Sequence, residues 1–218
     1  VGDYRITAAA AVHQGGSCAL DLRYKGYRII KGKYAINGLP AVYADENEAE
    51  TLEIFLKDKY SDIEVTLRYG VLPKLDIITR CVSVANNGTQ PVILTKVASL
   101  CLDIPHGKWE WVHFHGRHTM ERVAERSELI HGIQESSSKR GTSSHHQNPS
   151  VLLCSHDCTE IAGSCIGVLL AYSGSFKTQI ERDQQEQVRL VMGINPELFR
   201  WELKPSEGFD TPEAIMSY

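Results

Sequence analysis

Ile63-Glu64-Val65-Thr66-Leu67-Arg68-Tyr69 alternates apolar and polar residues almost without a break, the pattern of a half-buried strand whose successive side chains point to opposite faces. Its neighbour Ile77-Ile78-Thr79-Arg80-Cys81-Val82-Ser83-Val84 has the same β-branched bias, which suits a pleated surface. Asn86-Asn87-Gly88 then supplies residues suited to the positive φ of a tight hairpin turn, with Val92-Ile93-Leu94-Thr95-Lys96-Val97 as the return strand. Working outward, similar runs occupy residues 20–30, 52–56, 165–172, 179–182 and 188–194. Short strands separated by Gly, Asn, Asp and Pro predict an all-β fold, a large antiparallel β-sandwich with little helix. No strand–helix alternation, fixed-period repeat or low-complexity linker interrupts that pattern. Gly15-Gly16 reads as a further hairpin signal. A domain boundary is conceivable around residues 132–138, although nothing there reads as a flexible tether.

One stretch is ambiguous. Met120-Glu121-Arg122-Val123-Ala124-Glu125-Arg126 places Glu121/Glu125 and Arg122/Arg126 at i, i+4, and like charges at that spacing disfavour a helix. A strand inside an antiparallel sheet is the expectation, without a clean apolar face.

With 42% apolar and 23% charged residues among 218, the chain can bury a sizeable core. Its formal charge of −4 offers no basic field for nucleic acid or an acidic membrane surface. No run approaches the roughly 20 apolar residues of a membrane helix, and Val1-Gly2-Asp3-Tyr4-Arg5 does not read as a signal peptide. Asp45 to Glu50 reads as a solvated acidic loop. Cys18, Cys81 and Cys101 lie in apolar, strand-like stretches, where a thiol acts as a small core hydrophobe. Cys154, Cys158 and Cys165 lack a partner set with zinc spacing, so free thiols in the cytoplasm are the expectation.

Nine histidines are present, five of them from His106 to His131. His113-Phe114-His115 would put two imidazoles on one strand face, a spacing found at metal sites. The stronger reading of Trp109-Glu110-Trp111-Val112-His113-Phe114-His115 is a strand with an aromatic and polar face. Such a face can stack on sugar rings or form an interdomain contact. The polar loop Lys139-Arg140-Gly141-Thr142-Ser143-Ser144-His145-His146-Gln147-Asn148-Pro149 has a fixed guanidinium fork at Arg140 and a defined turn at Asn148-Pro149. Ser143 and Ser144 lack a G-x-S-x-G frame, and spacing gives His145 and His146 no acid partner, so a hydrolytic triad is rejected. Glu181 and Asp183 would share a strand face and point to solvent. Gly-rich phosphate loops are missing, and no cofactor or metal is assigned.

Several segments together resemble the amino-terminal region of glycoside hydrolase family 36, the α-galactosidases. Asp21-Leu22-Arg23-Tyr24-Lys25, Gly32-Lys33 and Gly38-Leu39-Pro40-Ala41 are similar to its early strands. Glu50-Thr51-Leu52-Glu53, Glu64-Val65-Thr66-Leu67 and Asp76-Ile77-Ile78-Thr79-Arg80 are similar to the next ones. Tyr172-Ser173-Gly174-Ser175-Phe176 resembles the family's YSGNF, Gly193-Ile194-Asn195-Pro196 is its GINP, and Phe209-Asp210-Thr211-Pro212-Glu213 resembles FQTPE. The resemblance covers nearly the whole chain. It implies that residues 1–218 form a β-supersandwich domain, with a catalytic (β/α)8 barrel expected just after Tyr218 and some amino-terminal strands expected before Val1.

In that family the barrel holds both catalytic aspartates and hydrolysis retains configuration, so no catalytic residue is expected here. The implied parent removes terminal α-galactose from melibiose- or raffinose-type sugars; an α-N-acetylgalactosaminidase or a galactosyl transferase is the alternative parent. The family's frequent tetramers imply a homo-oligomer. Candidates for contact with the barrel, a neighbouring subunit or the substrate entrance are Trp109, Trp111, His113, His118, Glu121, Arg122, Arg140, His145 and Asn148. Departures from the family pattern are His118 for Trp, Met120 for Arg and Ser150 for Phe. Two other readings compete: a free-standing carbohydrate-binding module with Trp109 and Trp111 as its platform, and a metal-dependent enzyme built on His113 and His115.

Overall fold

A computed structural model of the chain describes residues 5–104 and 107–218. His106 and the opening Val1-Gly2-Asp3-Tyr4 lie outside the described residues. No helix occurs among those described, and none is long and apolar enough to cross a membrane. In chain order the strands are β1 (Ala9–Val12), β2 (Leu22–Lys31), β3 (Glu50–Asp58), β4 (Ile63–Leu72), β5 (Ile77–Asn86), β6 (Val92–Ile104), β7 (Trp109–Arg117) and β8 (Met120–Glu128). There follow β9 (Gly132–Ser137), β10 (Gln147–Ser155), β11 (Cys165–Ala171), β12 (Phe176–Arg182), β13 (Val188–Ile194), β14 (Trp201–Leu203), β15 (Gly208–Asp210) and β16 (Glu213–Ser217).

They form two antiparallel sheets. The larger has ten strands in the order β2-β3-β4-β5-β16-β11-β10-β7-β8, with β15 also on β5; the smaller has six, β1-β6-β13-β12-β9, with β14 on β6. The sheets stack through two apolar clusters. Phe176, Ile180, Leu190 and Met192 of the small sheet meet Val151, Leu153 and Leu170 of the large one. Val65, Val82 and Val84 meet Val92, Leu94 and Leu203 in the second cluster. Each fully buried side chain of this kind contributes about 1.5–3 kcal/mol. The thirteen-residue β6 serves both clusters. Pairing between β13 and β6 shifts register after Met192, and a Cβ at Gly193 would lie 2.9 Å from both Ala98 Cα and Ser99 N. That close approach is what the glycine of Gly193-Ile194-Asn195-Pro196 provides.

Three local expectations need correction. The segment after β5 is not a hairpin: β6 joins the other sheet, and none of Asn86, Asn87 and Gly88 has positive φ. Asn86 instead pins a crossing between sheets, donating from Nδ2 to the Gln90 and Leu203 carbonyls at 2.8 and 2.9 Å. Gly15 and Gly16 do adopt positive φ in a tight turn, but β1 and β2 lie in different sheets. Residues 132–137 are strand β9, the edge of the small sheet. The ambiguous stretch 120–126 lies in β8, a strand as expected.

Residues 32–49, between β2 and β3, cross the outer face of the large sheet as a strap. Tyr34, Ile36 and Leu39 pack there against Cys81, which alternates with the inward-facing Val82. Lys33 runs beneath the strap to Glu213, with side chains 3% and 0% exposed, and the second Glu213 oxygen accepts Val42 N at 2.6 Å. A Cβ at Gly70 would lie 2.6 Å from Lys33 Cδ and from Thr79 Oγ1, so glycine opens the lane for the lysine. Beside this pair, Arg28 and Arg68 both engage Glu53, and Arg68 reaches Asp210 at 3.5 Å. Burial raises the Tyr34 hydroxyl pKa and pushes the Cys81 thiol to about 11.

Candidate functional site

Segments far apart in the chain meet at one end of the sandwich. After β9, Ser138 Oγ donates to Thr142 O at 2.6 Å, and Ser143 N donates to Ser173 O at 2.8 Å. Gly141 N donates to Ser175 Oγ at 2.8 Å, and Ser143 Oγ to Tyr172 O at 3.2 Å. The polar loop is therefore folded onto Tyr172-Ser173-Gly174-Ser175. Asn195 closes the cluster: its buried Nδ2 donates to Ser138 O at 2.9 Å, and its Oδ1 accepts Glu197 N at 3.0 Å. Lys139 and Lys177 flank Glu197 at 2.5 and 2.9 Å and lower its carboxyl pKa.

Next to this cluster lies a cleft of about 540 Å³, lined by Asn37 and Leu39 of the strap, Tyr172, Ile194, Phe199, Trp201, Gly208, Phe209 and Asp210. The loop after β13 and strands β14 and β15 bring in the aromatic residues. Phe209 is tilted against both Phe199 and Trp201, with ring centroids 5.7 and 5.2 Å apart, a favoured edge-on arrangement. Trp201 remains 47% exposed. Asp210 is held by Arg68 and by the Ser83 hydroxyl, so its charge is already compensated. The strap, Tyr172-Ser173-Gly174-Ser175-Phe176, Gly193-Ile194-Asn195-Pro196 and Phe209-Asp210-Thr211-Pro212-Glu213 thus share one wall or support of the cleft.

The sequence-derived candidates are spread over two other regions. Trp111 is a core residue, 5% exposed, and its ring stacks on His113 at 4.4 Å and 17°. It cannot serve as an exposed sugar platform, and Trp109 packs partly buried against the same core. His113 and His115 face Glu125 of the neighbouring strand at 3.6 and 3.3 Å. Desolvation lowers the His113 pKa, partly offset by Glu125. His118 lies exposed in the β7–β8 turn, and Glu121 accepts Thr119 N at 2.9 Å there. Arg122, exposed, takes a left-handed φ of 56° in the tight hairpin.

In the polar loop, Arg140 bonds the His146 ring and His145 is exposed. Asn148 accepts the Ser150 hydroxyl at 2.6 Å. Neither the hairpin candidates nor Arg140, His145 and Asn148 of the loop line the cleft.

The buried acidic residues are structural. Glu53, Asp58, Asp183 and Glu213 are buried. Asp183, expected at the surface, caps the β12–β13 turn by accepting Gln185 N and Gln187 N at 2.8 and 2.9 Å. Hydrogen bonds from Ser61 and from backbone N–H groups lower the Asp58 pKa against the opposing effect of burial. No group of three or more His, Cys, Asp or Glu among the described residues is placed to hold a metal ion. All six cysteines are free. Cys18 is exposed in a loop, not in a strand core, while Cys154 and Cys165 face each other across β10 and β11 with sulfurs 3.6 Å apart.

Sequence reasoning gave neither Asn37 nor Trp201 a role. A signal for Trp201 was present: a tryptophan between the charged Arg200 and Glu202 belongs near the surface.

A family model described as the glycosyl hydrolase family 36 N-terminal domain matches residues 1–204. The chain is 48% identical over 217 residues to the bifunctional alpha-galactosidase/sucrose kinase AgaSK of Mediterraneibacter gnavus, covering 100% of this chain and 23% of that protein. It is 44% identical to alpha-galactosidase AgaA of Geobacillus stearothermophilus, covering 99% of this chain and 30% of that protein. The crystal structure of that AgaA superposes with a TM-score of 0.97, again over 99% of this chain and 30% of the enzyme. Variants of the same enzyme are solved in complex with stachyose and with raffinose. The chain spans less than a third of the length of these relatives.

Proposed function

Because the chain belongs to the glycosyl hydrolase family 36 N-terminal domain family, we propose that it is the non-catalytic amino-terminal domain of a retaining α-galactosidase. The parent would remove terminal α-galactose from melibiose- and raffinose-type sugars. The observation that carries this reading is the match of essentially the whole chain to α-galactosidases, of which it covers only 23–30%. The buried carboxylates support the non-catalytic part. Retaining hydrolysis needs two carboxyl groups about 5 Å apart, one of them a free nucleophile, whereas Glu53 and Glu213 are tied to cations and Asp58 and Asp183 to backbone N–H groups.

The domain's work would be to pack on the barrel, assemble the oligomer (a tetramer) and shape the substrate entrance. The β7–β8 hairpin suits a subunit or interdomain contact. Every residue of β8 is exposed at the edge of the large sheet, which leaves a row of backbone groups open to pairing. Six free thiols support a reducing, cytoplasmic setting.

The test is hydrolysis of an aryl α-galactoside by the full parent and by this chain. Turnover by the parent alone is expected. Appreciable turnover by the 218-residue chain, or none by the parent, contradicts the proposal.

A further inference from the structure

From the cleft at Trp201 we infer a binding site on this domain for a neutral pyranoside, with a terminal α-galactoside as its ligand. Three features converge on that chemistry. Trp201, half-exposed, belongs to an aromatic cluster with Phe209 and Phe199, tilted rings packed side by side at the cleft. Around it, the Asn37 amide, the Tyr172 hydroxyl and the Trp201 indole N–H have no hydrogen-bond partner among the described residues and line or border the same space. The one charged lining group, Asp210, is compensated by Arg68, so the cleft favours an uncharged ligand. A volume of about 540 Å³ falls within the range of small-molecule sites, which combine apolar walls with a few polar groups that fix orientation.

A pyranose ring has this complementary form, with C–H groups on its faces and hydroxyls at its rim. In galactose the axial hydroxyl gathers the C–H groups of one face into a continuous apolar patch. That patch fits an indole, while the rim hydroxyls reach the amide and the phenol. The strap holds Asn37 and Leu39 over the cleft through the Lys33–Glu213 pair, so the site is assembled from both ends of the chain.

The choice of galactosides rests on the α-galactosidase reading; the aromatic and neutral chemistry of the cleft does not. The experiment is an NMR titration of the 218-residue chain with melibiose and raffinose, following the three indole N–H signals, with maltose as control. One indole signal should shift saturably, with a dissociation constant of about 1 mM, and maltose should bind at least about tenfold more weakly. Calorimetry, which does not depend on the indole signal, should show melibiose binding to the unaltered chain and none to Trp201→Ala, with the strand signature in circular dichroism unchanged. Asn37→Ala, at an exposed position, should weaken binding severalfold.

No saturable shift with any galactoside, binding that survives Trp201→Ala, or equal binding of maltose overturns the inference. A silent Trp201 that becomes shielded only in the full parent also overturns it and makes the cleft a domain contact. An active parent with a silent cleft refutes this inference alone; galactoside binding by a chain whose parent lacks hydrolysis refutes the α-galactosidase reading alone.

Discussion

The strap-and-cleft end and the β7–β8 hairpin both carry charged residues and treat them in opposite ways. At the first, Lys33 and Glu213 meet out of contact with water under a strap of the same chain. At the second, Glu121, Arg122 and Glu125 are all exposed, on an edge strand facing solvent. The difference lies in what covers the sheet face. A charge beneath a strap must be matched to its partner, while a charge on an open edge is free to serve a contact not yet made. Polarity in a sequence therefore marks neither region as functional until burial is known.

The largest effect should come from Glu213→Ala. It leaves the Lys33 ammonium buried without its counter-charge, and breaking such a pair costs about 3–5 kcal/mol. Denaturation in urea would measure the loss, and a change below about 1 kcal/mol would show that the pair does not hold the strap. Asn195→Ala should come next. It removes the amide joining Ser138 to Glu197, and leaving such buried groups unsatisfied costs about 1–3 kcal/mol.

A smaller effect concerns pH at the hairpin. The His113 pKa is lowered in the fold by desolvation, against the opposing pull of Glu125. On acidification below the unfolded value of about 6.5, the unfolded chain takes up a proton that the folded chain resists. Stability should therefore fall as pH drops through that range and level off once folded His113 is protonated. His113→Gln should flatten this part of the stability–pH profile, and an unchanged slope would assign it elsewhere. Glu121→Ala, on the exposed edge, should change stability by no more than about 0.5 kcal/mol. A larger loss would mean that the hairpin is not the open surface contrasted here with the strap.

The strands were legible wherever burial imposes alternation, as in β4 and β5, because one face of each is in the core. The Asn86 crossing was misread because a local turn signal does not say whether the next strand joins the same sheet. β9 was passed over because its Gly-Ser content resembles a loop, and β14 and β15 because three residues are too few to show a period. The family motifs were legible one by one. Their convergence was not, since Lys33 and Glu213 are 180 residues apart and no spacing rule links them. Trp109 and Trp111 looked like a platform because alternation predicts a shared face without saying which face is covered.

The most direct test of the account is the size of the native polypeptide, by immunoblot of source-cell lysate with antibody against this chain. A domain covering 23–30% of its relatives predicts a band several times the chain's 24.3 kDa. A single band at the chain's own mass would contradict the proposed α-galactosidase parent and leave a free-standing protein.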